Sequence, residues 1–249
     1  MNRMLVLCVL GLLGGCAHSP VQVDWLAQGG CGKPTQDQEL ALNLAKDMAA
    51  EGRAHAALAH LQALPSSLAE VRLRQARIYR SLGRSEAEPL YRSLLGTCLE
   101  AEGHHGLGQL AAAGGNQREA LDQLREALRL SPTDPRVRND LGLVLLRDGR
   151  VEDARFEFLT ALELSQDDPL PAQNLLSLFF YQEEYQQAAE LVSRLRLPAD
   201  LVRQAEERAR QMKQQGLSAP LATRQSAADA PLLAEAGKTG PIAGEEVGQ

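Results

Sequence analysis

The chain has 249 residues, 44% of them apolar, 23% charged and only 4% aromatic. It is long enough to bury a sizeable core and too apolar for a disordered or collagen-like polymer. With 26 basic against 32 acidic residues the formal charge is −6, which argues against a nucleic-acid binder. No apolar run approaches the ~20 residues that a membrane-spanning helix needs.

The N-terminus reads as a targeting segment. Arg3 gives a short positive region, and Met4 to Leu13 form an apolar stretch of ten residues, too short to span and suited to a secretory signal. The stretch runs into Leu13-Gly14-Gly15-Cys16, which resembles the lipobox of bacterial lipoproteins. The resemblance implies a cut before Cys16 and lipid on that cysteine. Ala17 stands where an aspartate often marks inner-membrane retention, so it also implies an outer-membrane address facing the periplasm.

Cys8 leaves with the signal and Cys16 carries lipid, which leaves Cys31 and Cys98 in the mature domain. In an oxidising compartment these read either as one disulfide or as two inert buried thiols. In the repeat register below, Cys31 precedes the first helix and Cys98 follows the second helix of the second repeat. Both then lie at one edge of the stack, within reach of each other.

Residues 16–34 read as a polar tether ending in Gly29, Gly30, Gly32 and Pro34, and Thr35 with Gln38 as a capping box that opens a helix. Helical patterning then continues to about residue 214 without a β-type alternation. Within it the spacing is regular. Ala120, Ala154 and Ala188 lie 34 apart, as do Leu107-Gly108 and Leu141-Gly142. Leu124 and Phe158 lie four residues beyond their alanines, and Ala127 and Ala161 three further on. This pattern resembles the tetratricopeptide repeat, in which small residues let paired antiparallel helices approach and large ones fill the space between pairs. Weaker copies run through Leu44, Ala45, Met48, Gly52, Ala57 and Leu61, and through Ala76, Tyr79, Gly83, Ala87, Tyr91 and Leu94. In the last copy Leu176 replaces the small residue and Leu195 the final alanine.

The resulting expectation is an all-α tetratricopeptide-repeat solenoid with five units, at about 38–67, 68–100, 101–134, 135–168 and 169–202. Asp134-Pro135 and Asp168-Pro169 are expected as helix starts, and Ser85 and Asn116 as caps of second helices. Pro198 opens a final amphipathic helix with Leu201, Ala205, Ala209 and Met212 on one face, which covers the end of the stack. The domains are then 1–15 signal, 16–34 lipidated tether, 35–214 repeat domain and 215–249 disordered tail, the last with a candidate binding segment at Pro231-Leu232-Leu233.

Chemistry is hard to find in this sequence. His55 and His60 are five apart, and His104 and His105 diverge by about 100° on a helix. His18 lies in the tether, and Gly106-Leu107-Gly108 lacks a preceding strand. No metal, no cofactor and no catalytic residue is expected; the chain reads as no enzyme. In tetratricopeptide repeats the first helix of each pair lines a concave groove. Carried over by register, the groove residues are Arg77, Arg136, Asn139, Leu143, Gln173, Asn174, Phe180 and Tyr181, with the polar groups binding an extended peptide and the aromatics anchoring it.

A lipobox followed by about five such repeats, with the segment Val137-Arg138-Asn139-Asp140-Leu141-Gly142-Leu143, is similar to the TadD lipoproteins of the Tad (tight adherence, Flp pilus) assembly system. That resemblance implies an outer-membrane scaffold that assembles or places the secretin, with a secretin or another pilus-assembly component as protein partner. A PilF-like pilotin of type IV pili shares the layout, and an NlpI-like adaptor for cell-wall hydrolases is a further alternative.

Overall fold

The computed structural model describes residues 31–165 and 168–216. The signal segment with Cys16, most of the tether, and the tail with Pro231-Leu232-Leu233 lie outside them. Among the described residues there are eleven α-helices and no strand. They run α1 (Gln36–Ala50), α2 (Ala54–Gln62), α3 (Ala69–Ser81), α4 (Ala87–Arg92), α5 (Glu100–Ala113) and α6 (Gln117–Leu130). There follow α7 (Pro135–Arg147), α8 (Val151–Leu164), α9 (Leu170–Tyr181), α10 (Tyr185–Leu195) and α11 (Ala199–Gln215). The first ten stack as five consecutive pairs, an all-α solenoid, and α11 packs against α9.

Local sequence explains the starts of α1, α6 and α7. Thr35 and Gln38 form a reciprocal capping box at α1, and the Asn116 side chain accepts from the Glu119 amide at α6. Asp134 accepts from the Arg136 amide at α7, with Pro135 at the first position, where no amide donor is lost. Two starts differ from expectation. α9 begins one residue later, at Leu170, but Asp168 still accepts from the Leu170 amide at 3.1 Å. At α4, Ser85 is no cap: the helix starts after Glu86 without a side-chain cap bond, and the Ser85 hydroxyl turns to the Glu86 carboxylate.

The close approach within a pair depends on missing side chains. A Cβ at Gly108 would lie 2.7 Å from Leu124 Cγ, and one at Gly142 would lie 2.6 Å from Phe158 Cε1. Leu124 and Phe158 are fully buried against these glycines. The same device joins successive pairs, since Tyr91 of α4 seats its ring directly on Gly106 of α5. In the fifth pair Leu176 takes the glycine's place and is itself fully buried. There α9 approaches α10 less closely than α7 approaches α8. A cleft of 650 Å³ lies beside them, lined by Leu159, Leu175, Phe179, Leu191 and Arg194.

The core is divided unevenly. One continuous apolar cluster runs from Ala120 in α6 to Met212 in α11. Two smaller clusters lie toward the N-terminus, one from Leu42 to Ile78 and one from Ala69 to Leu107 that reaches into α5. The N-terminal half is also stapled: Cys31 and Cys98 form a disulfide with their Cα atoms 5.9 Å apart, so the bonded reading of these two cysteines is the one the structure takes.

Candidate peptide-binding surface

The first helices α1, α3, α5, α7 and α9 share one face of the solenoid. At its N-terminal end a 580 Å³ cavity is lined by Asn43 and Lys46 of α1, Arg74, Arg77 and Ile78 of α3, and Arg136 of α7. Arg77 and Arg136 both donate to Glu102 of α5, each at 2.7 Å, so one carboxylate ties three helices. Arg136 also holds Asp134 in a two-pronged contact. Burial pushes the carboxyls of Glu102 and Asp134 upward, but the arginines outweigh it and both sit below the usual carboxylate range. Arg136 is raised above its ordinary value, first through its hydrogen bond to Asp134. Lys46 is exposed and joins no ion pair, and the buried Nε of Arg74 has no hydrogen-bond partner.

Further along the same face the polar groups are consumed internally. His105 of α5 lies 2.7 Å from Asp140 of α7, which also accepts from Gln109 at 2.6 Å. Burial raises the Asp140 carboxyl, yet the bond to His105 and its charge prevail and hold it low. Asn174 of α9 donates to Asn139 of α7 at 2.9 Å. Gln173 donates to Gln204 of α11, also at 2.9 Å. His104 bonds Gln123 of the adjacent α6 at 2.7 Å, so both of these histidines serve packing between helices.

The sequence-derived groove therefore splits in two. Arg77 and Arg136 line the open cavity, though both are already tied to Glu102. Asn139, Leu143, Gln173 and Asn174 were expected to stand free in the groove and are instead buried, at 6% exposure or less. The reason is tertiary: α11 packs along α9 and reaches Gln173, and Asn174 donates to Asn139, which in turn donates to Asp140. Phe180 and Tyr181 are half-buried and pack against the main core, with Phe180 6.4 Å from the Tyr185 ring. A change at Asn139, Asn174 or Phe180 would therefore disturb the repeat core as well as the groove. Asn43, Lys46 and Arg74 were missed by the sequence reading. Their signal was present, because Lys46 and Arg77 each follow the small residue of their helix (Ala45, Ala76) by one, and Asn43 and Arg74 precede it by two.

Among the described residues no group of three or more His, Cys, Asp or Glu side chains could hold a metal ion. No helix among them is long and apolar enough to cross a membrane. A family model for the tetratricopeptide repeat matches residues 105–169. Beyond that segment, the chain is 48% identical over 200 residues to the TPR repeat-containing protein PA4299 of Pseudomonas aeruginosa, covering 80% of each chain. The chain belongs to the tetratricopeptide-repeat proteins. The fold is also similar to that of PilF from Pseudomonas aeruginosa, with a TM-score of 0.55 at 19% identity, covering 81% of this chain and 92% of PilF. A second likeness is to TTC0263, a thermophilic TPR protein of Thermus thermophilus, with a TM-score of 0.53 at 23% identity over 68% of this chain and 97% of that one. As a repeat scaffold of this family the chain is suited to protein partners, and its fold places the first helices of the pairs along one surface.

Proposed function

We propose that the chain is a lipid-anchored outer-membrane scaffold of Tad (Flp) pilus biogenesis, acting on a secretin or another assembly component from the periplasmic side. The reading is supported by the order of parts along the chain: lipobox Leu13–Cys16, a short polar tether, then a repeat stack whose N-terminal inner face is open and polar. The lipid holds the scaffold at the membrane, where several acyl chains give lasting attachment that one chain does not. The inner face then presents charged groups to a partner's backbone and side chains.

A PilF-like pilotin of type IV pili is the second reading, favoured by the fold likeness to PilF across most of both chains. An NlpI-like adaptor would use the same surface on cell-wall hydrolases. One experiment sorts these readings: crosslinked pull-down from membranes carrying the intact chain, beside the Cys16→Ser variant. The Tad reading expects recovery of the Tad secretin, loss of outer-membrane fractionation and of labelled palmitate in Cys16→Ser, and loss of pili. Recovery of a type IV secretin or of hydrolases in its place would overturn it.

A further inference from the structure

We infer that the N-terminal tether folds back onto α1 and caps the first end of the solenoid, with Val21, Val23 and Trp25 covering Leu40 and Leu44. The inference goes beyond the scaffold reading and stands without it. Leu40 and Leu44 are 70% and 43% exposed, and at four residues' spacing they are neighbours on one face of α1. The repeat register shows that this face is built to be covered. Leu44 stands one residue before the small residue Ala45, and Leu40 five before it. The same two positions hold Val71 in α3, Leu107 in α5, Val137 and Leu141 in α7, and Leu175 in α9, all at 4% exposure or less. Val71 is buried in a cluster with Leu58 and Leu61 of the preceding pair, and Leu107 in one with Tyr91 of the preceding α4. α1 has no preceding pair among the described residues, so its two leucines face outward. The other end of the stack is closed by α11.

The tether carries what this face lacks. Val21, Val23 and Trp25 alternate with Gln22 and Asp24, so an extended segment turns all three apolar side chains to one side. Residues two apart in such a segment are separated by roughly 6.5–7 Å, and residues four apart on a helix by roughly 6 Å. The row on the tether thus matches the row on α1. Gly29 and Gly30 permit the reversal that sends the segment back along the helix. The disulfide to Cys98 fixes Cys31 five residues before α1 begins. From there Trp25 reaches roughly 20 Å and Val21 roughly 33 Å, against roughly 12 Å of helix between Gln36 and Leu44. A membrane is the poorer occupant, because the exposed carboxylates of Asp37 and Asp47 flank the leucines and are repelled by an anionic lipid surface. Where Cys16 carries lipid, Val21 is only five residues from it, so the docked tether holds the first pair beside the membrane.

Trp25 is the chain's only tryptophan, so the intact chain reports on its own tether. In detergent solution Trp25 should emit at the short wavelengths of a buried indole and resist acrylamide quenching several-fold better than in the urea-unfolded chain. The double variant Leu40→Ser, Leu44→Ser should shift that emission to the red and raise quenching several-fold. Phe156→Ser, which removes an exposed aromatic of α8, should leave both unchanged. Helical content by circular dichroism should match the parent in both variants, since all three side chains lie exposed on the described stack. A photocrosslinking residue in place of Leu44 identifies what lies on the face: mass spectrometry should find it joined to residues 17–30 of the same chain. Trp25 that quenches as freely in the folded chain as in urea overturns the inference. So does buried emission that the leucine variant leaves unchanged, which places the indole in the micelle, and so do crosslinks to lipid, to detergent or to a second copy.

Discussion

The two halves of the solenoid solve the same packing problem with different means. In α6–α11 one apolar cluster is continuous, and the polar residues of the inner face bond to each other or to α11. In α1–α4 the apolar clusters are small, a disulfide ties Cys31 to Cys98, and the inner face keeps cations without partners. A solenoid sums intrinsic repeat terms and neighbour interfaces, so each half carries its own stability. Where the core is large, the inner face is sealed and structural. Where a covalent link supplements a small core, the face is left open.

The largest expected effect breaks that division at the staple. Closing a loop of sequence separation 67 contributes about 4 kcal/mol in the chain-entropy account. Cys98→Ser should lower urea stability by about that amount, with hydrogen exchange rising first in α1–α4 and last in α7–α9. Uniform loss of protection would mean that the halves are not separate. Next comes the asparagine pair. Asn174→Ala removes the buried donor that Asn139 accepts from, which should destabilise by about 1–3 kcal/mol. Arg74→Gln, on the same face but in the open half, should change the melting midpoint hardly at all. Equal effects from the two would erase the distinction between sealed and open positions.

The smallest effect concerns the turn of the fifth pair. Gly115 and Gly149 adopt φ of 77° and 78° in the third and fourth pairs, and Glu183 stands 34 residues on with φ 64°. A side chain in the left-handed region costs roughly 1–2 kcal/mol, partly offset by the entropy a glycine would lose on folding. Glu183 also pairs with Lys213 of α11 at 2.7 Å, an exposed contact of little weight. Glu183→Gly should therefore stabilise the fifth pair by about 1 kcal/mol or less in thermal unfolding. A loss of stability would show that the tie to α11 outweighs the strain.

The sequence alone determined the repeat phase, the all-α class and the starts of α1, α6 and α7, because these depend on residues within one turn or one 34-residue period. Thr35 with Gln38, Asn116 with Glu119, and Gly142 facing Phe158 are all visible at that range. Ser85 misled because a cap depends on backbone geometry as well as residue type, and α4 begins after Glu86. The tertiary structure decided which register positions stay open. Asn174 and Arg74 occupy the same place in their repeats, two residues before Leu176 and Ala76. Asn174 lies beside a helix carrying Asn139 and under a stack end covered by α11, so it is buried and bonded. Arg74 has α1 with Lys46 as its neighbour and no covering helix, so its charge faces the cavity. Periodicity fixes the face a residue occupies, but the neighbouring helices decide whether that face meets protein or solvent.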